Sequence, residues 1–260
     1  MHNSDDTVAF HAKHIADEAG VKALDYFRKL LDVDFKSDES PVTQADRAVE
    51  AHVRDYLKNH FPRDGILGEE FGFEEGQTDW TWIVDPIDGT RSFLSGNPLF
   101  GFLLARLFKG LPDIGVIGMP ALNEVIVGQK DLGATLNGQS IHVSDQTLLA
   151  QSILYVNEAE KISNARPALF TRLMNLGQTR RFSYDCYPHA LLAMGHVDAV
   201  IDYDLQPYDY LPLIAVIEAA GGTITNWNGD PLTLTSGTQN VVSAATPKLH
   251  TQIIDQIGRH

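Results

Sequence analysis

Residues 82 to 90 read Trp82-Ile-Val-Asp85-Pro-Ile-Asp88-Gly-Thr90, a short apolar run that ends in a polar turn. Proline lacks an amide hydrogen and has a fixed φ, so a β-strand that begins in the apolar run should end at Pro86. A buried Ile87 would direct Asp85 and Asp88 to the same polar side of the turn. Two carboxylates that close repel each other unless a proton or a cation lies between them. Oxygen ligands at this spacing favour Mg²⁺ over zinc.

The residues after this pair suggest an anion site. Gly89 lets the backbone turn or approach a ligand closely. Thr90-Arg91-Ser92 can then begin a helical turn whose free N–H groups bind an anion such as phosphate. A solvated turn with an aspartate cap explains the same residues, so on their own they leave both interpretations open.

Other carboxylates in the chain favour the metal-site interpretation. Glu69 and Glu70 form an acidic pair after Gly68, and Asp209 comes directly before an apolar helix. An aspartate in that position can cap the helix, bind a metal, or do both.

The composition limits the class of protein. The chain has 260 residues, 43% of them hydrophobic, and a formal net charge of −14. These values predict a globular protein with one large domain or two small ones, and the negative charge argues against nucleic-acid binding. Cys186, the single cysteine, excludes an intramolecular disulfide. No apolar run approaches the roughly 20 residues that span a bilayer, and the first residues lack the pattern of a secretory signal. We therefore expect a cytoplasmic protein that binds neither membranes nor nucleic acids.

The pattern of predicted elements changes near residue 135. Amphipathic helices are predicted over residues 6–31 and from Thr43 to the residues before Pro62, and closely spaced strands that should pair antiparallel follow them. Asn137-Gly138 predicts a hairpin turn. Strands and helices then alternate, which is typical of α/β structure. The sequence predicts an α+β domain at 1–135 with most of the candidate metal ligands, and an α/β domain at 136–260. The second domain would carry Asp209 and the candidate substrate-binding residues that are named below.

Several motifs together resemble one known family. Trp82–Thr90 resembles the first signature of the inositol monophosphatase family, and Tyr208-Asp209 with Ile217–Gly222 resembles the second. Gly68-Glu69-Glu70, and Thr43 with Asp46, match the other metal-site positions of the family in order and spacing. The resemblance extends over essentially the whole chain. It implies a mixed α/β (α+β) fold, a five-layer αβαβα sandwich that is often a homodimer, and Mg²⁺-dependent, lithium-sensitive hydrolysis of phosphate monoesters.

The resemblance also implies the roles of individual residues. Two or three Mg²⁺ ions would be held by carboxylates and one backbone carbonyl, namely by Glu69, Asp85, the Ile87 carbonyl, Asp88 and Asp209, with Asp46 and Glu69 beside a weaker third site. Glu69, Thr90 and Asp46 would be the catalytic residues, with Thr90, helped by Asp46, orienting the attacking water. The N–H groups of Gly89 and Thr90 would hold the phosphate.

The substrate follows from longer similarities to one branch of the family. Arg91–Gly101, Asp185-Cys-Tyr187 and Asp204–Asp209 are similar to the histidinol-phosphate phosphatases of histidine biosynthesis. Histidinol phosphate carries an ammonium group and an imidazole, for which Asp185, Asp202 and Asp204 are candidate acceptors, although each could be an ordinary loop aspartate. Arg91 would contact the phosphate or form a structural ion pair.

Two alternatives to this substrate remain. One is an inositol-1-phosphatase or a phosphatase with broad activity on sugar or nucleotide phosphates, because the metal site is common to all of these enzymes. The other is a non-catalytic regulatory protein on the same fold. Such a protein would be expected to lack metal carboxylates, and this chain has them all.

Overall fold

The computed structural model describes residues 7–29, 33–35 and 41–258, with side chains in 7–29 and 44–258. The predicted place of the Thr43 side chain beside Asp46 therefore lies outside the described residues. The first part of the chain contains α1 (Val8–Leu24), β1 (Val33–Phe35), β2 (Pro41–Thr43), α2 (Gln44–His60), β3 (Gly65–Gly68), β4 (Gly72–Glu74), β5 (Trp80–Asp88), α3 (Thr90–Leu94), β6 (Gly101–Phe108), β7 (Leu111–Met119), β8 (Glu124–Gln129), β9 (Gly133–Leu136) and β10 (Gln139–Ile141). The second part contains β11 (Ile153–Asn157), α4 (Ala159–Ala165), α5 (Pro167–Leu173), β12 (Thr179–Ser183), α6 (Tyr187–Ala193), β13 (Ala199–Leu205), α7 (Pro207–Ala219), β14 (Thr223–Asn226), β15 (Gln239–Ala244) and α8 (Pro247–Ile257).

Two large sheets organise the described chain. One has eight strands in the order β10-β9-β8-β7-β6-β5-β3-β4, and the other has five in the order β12-β11-β13-β15-β14. In the first sheet the neighbours pair antiparallel, as predicted for β6, β7 and β8, except that β3 is parallel to β5. The second sheet is mixed. β11 is parallel to β12 and β13, whereas β15 is antiparallel to β13 and β14.

Helices cover both sheets in five layers. α1 and α2 pack on one face of the larger sheet, where Trp82 and Val84 of β5 join their core. α6 and α7 lie between the two sheets, and Ile83 points into that second core. α4, α5 and α8 cover the outer face of the smaller sheet. Because β5 has helices on both faces, its apolar run is continuous rather than alternating. The predicted αβαβα sandwich is confirmed.

The ends of three predicted elements differ in the structure. α1 ends at Leu24 instead of near residue 31, because Phe27 packs against Phe93 and Phe100, and Arg28, at φ +58°, donates to the Gly96 carbonyl. β5 continues past Pro86 to Asp88, with a register shift against β6. α7 begins at Pro207 and so includes Asp209, which the sequence places before the helix.

The change from one sheet to the other comes after the predicted division at residue 135. That division falls inside β9, and the hairpin of β9 and β10, with its turn at Asn137-Gly138 as predicted, belongs to the larger sheet. β11 is the first strand of the smaller sheet. The central layer of helices packs against both sheets in one core, and the two-domain division stays a prediction.

Candidate active site

Three carboxylates from two elements meet where β5 ends and α7 begins. Asp85, Asp88 and Asp209 each offer an oxygen, and these oxygens lie within 4.8 Å of one another. The Ile87 side chain is buried, as predicted, in the core under α1 and α2. Asp85 is buried, and its Oδ1 atom has no hydrogen-bond partner among the described residues. A buried carboxylate oxygen without a donor needs a cation or a proton.

The electrostatics of the cluster support this conclusion. Burial raises the pKa of Asp85 well above its ordinary value, and the nearby charges of Glu69, Asp88, Asp209 and Asp46 raise it further. Burial also raises the pKa of Asp88 to about 6, although hydrogen bonding with Cys186 opposes the shift. Burial and the charge of Asp88 raise the pKa of Asp209. Several oxygen donors that resist ionisation together are the ligand set of a hard divalent cation such as Mg²⁺, so these residues fit a metal site.

Asp209 is held in the cluster by the start of α7. Its Oδ2 accepts the N–H of Gln206 at 2.7 Å, which completes a capping box with Gln206 as the N-cap residue. Asp209 is therefore the third residue of the helix and not its N-cap. The helix fixes the carboxylate beside β5 without using the residue as an ordinary cap.

Glu69 is positioned by a residue that the sequence analysis missed. Glu50 on α2 is fully buried and accepts the N–H groups of Glu70 at 2.7 Å and Phe71 at 3.2 Å. A Cβ atom on Gly68 would lie 1.9 Å from Glu50 Oε1, so only glycine allows the carboxylate this close. The Glu69 N–H donates to the Val84 carbonyl. The sequence did offer a signal that Glu50 could be buried, since it lies beside the apolar positions of α2 and Arg54, its ion-pair partner, follows four residues later.

Thr90 and Asp46 lie together at the edge of the cluster. The Thr90 hydroxyl lies 3.2 Å from the Ile87 carbonyl and 3.5 Å from Asp46 Oδ1. Asp46 is buried in the first turn of α2. Gly89, at φ +83°, precedes the short helix α3 that begins at Thr90, as predicted. The charges of Asp46 and Glu69 act on Asp85, so these two residues, which the resemblance implies to be catalytic, lie close to the carboxylate cluster.

Asp185 closes the same site from the opposite side. A Cβ atom on Gly89 would lie 2.4 Å from Asp185 Cγ, and Ser92 Oγ donates to Asp185 Oδ2 at 2.6 Å. Burial, followed by the charge of Asp88, raises the pKa of Asp185 to about 8. Asp185 itself adopts φ +64°, a conformation that aspartate tolerates better than most residues.

The remaining predicted substrate residues have different surroundings. Asp204 is about half exposed, and its carboxylate accepts from Lys161 at 3.1 Å. Asp202 is buried and takes part in hydrogen bonds within the protein. Arg91 is exposed and lines a cleft that also contains Asp185 and Lys161.

Nearly the whole chain is similar in sequence to a known family. A sequence model of the inositol monophosphatase family matches residues 4–260. The chain belongs to the inositol monophosphatase family. Members of this family are metal-dependent phosphatases, and the carboxylate cluster of this chain can bind a metal. None of the helices in the described ranges is both long and apolar enough to cross a membrane.

Several members of the family resemble this chain over most of its length. The chain is 38% identical over 254 residues to the "Bifunctional phosphatase IMPL2, chloroplastic" of Arabidopsis thaliana, covering 95% of this chain and 73% of the relative. It is 37% identical over 222 residues to the histidinol-phosphatase of Chlorobaculum parvum, covering 84% and 85%. The structure of an inositol monophosphatase from Zymomonas mobilis superposes with a TM-score of 0.87 at 32% identity, covering 99% of this chain and all of that one.

The raised pKa values predict how stability depends on pH when divalent cations are removed. Carboxyl groups with a folded-state pKa of about 6 (Asp88) or about 8 (Asp185) bind protons more tightly in the folded than in the unfolded chain. Their contribution to stability is complete below the ordinary pKa near 4 and is lost as the pH rises through 6 and 8. Between pH 5 and pH 8 the thermal midpoint in EDTA should fall by roughly 10 °C.

Millimolar Mg²⁺ should raise the midpoint at pH 8 and flatten this dependence, because the cation replaces the protons. Differential scanning fluorimetry at several pH values, with EDTA or Mg²⁺, measures both effects. A midpoint in EDTA that rises with pH across this window, or that Mg²⁺ does not change, would contradict the assigned cluster.

Proposed function

We propose that this protein is a Mg²⁺-dependent phosphate monoesterase whose substrate is histidinol phosphate. The observation that carries the proposal is the position of the acidic cleft: Asp185 adjoins the metal carboxylates at Gly89, and Glu158 and Asp204 line the cleft beyond it. A metal site next to three cleft carboxylates, two of which pair with Lys161, suits a phosphate ester with a cationic leaving group. The identity to a histidinol-phosphatase supports the same substrate.

The metal would be held by the carboxylates of the cluster. Glu69, Asp85 and the Ile87 carbonyl would hold one Mg²⁺, Asp85, Asp88 and Asp209 a second, and Asp46 and Glu69 would lie beside a weaker third site. When bound, such cations neutralise phosphate charge, acidify water and stabilise the leaving oxygen. The carboxylates of the chain thus gather positive charge at the place where the anionic substrate must bind.

The chain itself would orient the nucleophile. The single hydroxyl proton of Thr90 has carbonyl and carboxylate acceptors, the Ile87 carbonyl and Asp46 Oδ1, within 3.5 Å. When that proton is donated to either acceptor, the hydroxyl lone pairs can accept a proton from water. Thr90, held by Asp46, would therefore fix the direction of the attacking water, and Glu69 would lie on the side where that water loses its proton.

The phosphate and the leaving group would occupy opposite sides of α3. The N–H groups of Gly89 and Thr90, with Arg91 nearby, would hold phosphate oxygens. Asp185 and Asp204 would face the leaving group, and an ammonium or imidazolium beside Asp185 would favour the ionised form of that carboxyl group. Hydrogen bonds to charged groups contribute roughly 1.5–3 kcal/mol each, which is enough to select one ester among many.

A substrate panel tests the proposal. Histidinol phosphate, myo-inositol 1-phosphate, fructose 1,6-bisphosphate and 3′-phosphoadenosine 5′-phosphate are compared with Mg²⁺ present, and with EDTA as the control. We expect kcat/KM to be about tenfold or more higher for histidinol phosphate than for the others, because one charged contact is worth that much. A higher value for inositol phosphate would instead assign the protein to the substrate named for its Zymomonas mobilis neighbour.

The proposal also includes the pathway, cellular location, oligomeric state and inhibition of the enzyme. A histidinol-phosphate phosphatase of this family would act in histidine biosynthesis, in the cytoplasm, as a homodimer that Li⁺ inhibits. These properties come from the resemblance and from the sequence.

A further inference from the structure

A buried chain of hydrogen bonds leads from the core to Asp185. Asp202 Oδ2 lies 3.1 Å from His189 Nε2 and accepts from Asn157 Nδ2 at 2.7 Å. The same Asn157 Nδ2 donates to the Asp185 carbonyl at 3.0 Å. On the far side, His189 Nδ1 lies 3.0 Å from Ser243 Oγ. These residues belong to β11, β13, α6 and β15, and so the chain joins the smaller sheet to the edge of the active site.

The orientation of the Asn157 amide follows from its partners. Both groups near Nδ2 are acceptors, a carboxylate and a carbonyl, so the nitrogen and not the oxygen must face them. Asn157 Oδ1 is buried and has no hydrogen-bond partner among the described residues. An unsatisfied buried acceptor is unfavourable. The two hydrogen bonds that Asn157 Nδ2 donates therefore offset the cost of burying its oxygen without a partner.

Asp202 lines the same cleft as Asp88 and Asp185, but its oxygens are bonded within the protein. Its Oδ2 is shared by His189 and Asn157, and its Oδ1 accepts the Tyr203 N–H at 2.8 Å. Only 6% of its side chain is exposed, and the side chain of His189 is fully buried. With its oxygens bonded in this way, the carboxylate is held toward Asn157 and His189 and orients the Asn157 amide.

Asp185 is the residue at which this chain of bonds reaches the site. Its carbonyl is fixed by Asn157, and its carboxylate is fixed by Ser92. The next N–H along the backbone, that of Cys186, donates to the carboxylate of Asp88. A backbone in the left-handed region, as here, needs surrounding contacts to hold it. The turn therefore sets the distance between a metal ligand and the leaving-group end of the cleft.

We propose that Asn157 is a positioning residue that, held by Asp202 and His189, fixes the Asp185 turn and thereby selects the leaving group. Asp202, whose oxygens are bonded within the protein, acts through Asn157. The inference rests on the proposed function only in taking Asp185 as the residue that faces the leaving group.

The test is a double-mutant cycle of Asn157→Ala and Asp185→Asn, in which asparagine keeps the left-handed backbone. KM and kcat are measured on whichever ester the wild-type protein hydrolyses best, so that a different preferred substrate overturns the proposed function without touching this test. We expect Asn157→Ala to raise KM about tenfold with a smaller fall in kcat, and to have almost no effect on KM when Asp185 is already asparagine.

A matched control separates positioning from simple loss of stability. Ser243→Ala removes the other contact of His189 and leaves Asn157 and Asp185 untouched, so the thermal midpoint should fall with KM unchanged. If Asn157→Ala does not fold, Asp202→Asn, which keeps the side-chain shape, replaces it in the cycle with the same expected result. An equal rise in KM in both Asp185 backgrounds, a lower kcat at constant KM, or a KM effect of Ser243→Ala as large as that of Asn157→Ala would overturn the proposal.

Discussion

Asp88→Asn is expected to lower kcat by about a thousandfold while the metal-free protein unfolds at an equal or higher temperature. The loss should exceed the roughly 10–100-fold typical of groups that only support metal ligands, because Asp88 is itself in the cluster. Stability should not fall, since asparagine oxygen can still accept the Cys186 N–H and the repulsion within the cluster is relieved. Steady-state kinetics and thermal unfolding in EDTA, and again in Mg²⁺, measure both effects.

A matched control for Asp88→Asn removes a carboxylate far from the site. Asp79 precedes β5 and pairs at 3.6 Å with Lys109, which follows β6, and both side chains are exposed. Asp79→Asn should therefore change neither kcat nor the midpoint by much, since exposed ion pairs contribute about 1 kcal/mol or less. Wild-type turnover in Asp88→Asn, or full stabilisation of that variant by Mg²⁺, would remove Asp88 from the metal site.

Glu50→Ala is expected to destabilise the protein by about 3–5 kcal/mol, the range for breaking a buried ion pair. Glu50 accepts from Arg54 Nε at 2.8 Å with both side chains buried, and it also holds the N–H groups of Glu70 and Phe71. Removing it leaves Arg54 Nε and two backbone amides without their acceptor, while the rest of the guanidinium keeps the Gly72 carbonyl and Glu74. Because those amides shape the turn that presents Glu69, kcat in Mg²⁺ should fall at least about tenfold as well.

Two companion variants make the Glu50 result specific. Lys58→Ala removes an exposed pair on the same helix, 3.0 Å from Glu74, and should change the free energy of unfolding by less than about 1 kcal/mol. Glu50→Gln keeps an oxygen for the turn but loses the charge, so it should retain more activity than Glu50→Ala. Urea unfolding and steady-state kinetics measure the series. A small loss of stability in Glu50→Ala, or full activity, would contradict the role of Glu50.

Local sequence signals predicted the elements that carry the site. The apolar run before Asp85, the Gly89 turn and the apolar helix at Asp209 each depend on residues close together in the chain, and each was found. The five layers came from the family resemblance and not from the pattern of any one segment. The helix α4 was missed because only Ile162 among its residues is a buried apolar side chain, which is too few to give a period.

The parts that could not be predicted depend on contacts between distant residues. Nothing near Glu50 in the sequence shows that it supports the turn at Gly68, since the two residues meet only when α2 packs beside β3. The hydrogen bonds that hold the Asp202 carboxylate likewise depend on His189 and Asn157, which come from other elements. Sequence patterns indicate which residue types are present, whereas hydrogen-bond partners are fixed by tertiary packing.

The register shift in β5 decides which face of the sheet Asp88 points to. Side chains in a regular strand alternate between faces, so Asp85 and Asp88, three positions apart, would point in opposite directions. Against the three-residue step from Asp85 to Asp88, β6 advances only two residues, from Leu103 to Gly101. This one extra residue turns Asp88 to the face of Asp85 and Asp209, and turns Ile87 to the core that holds Val84. A regular strand of the same sequence, paired without the register shift, would keep every carboxylate in the chain and still divide the cluster between the two faces of the sheet.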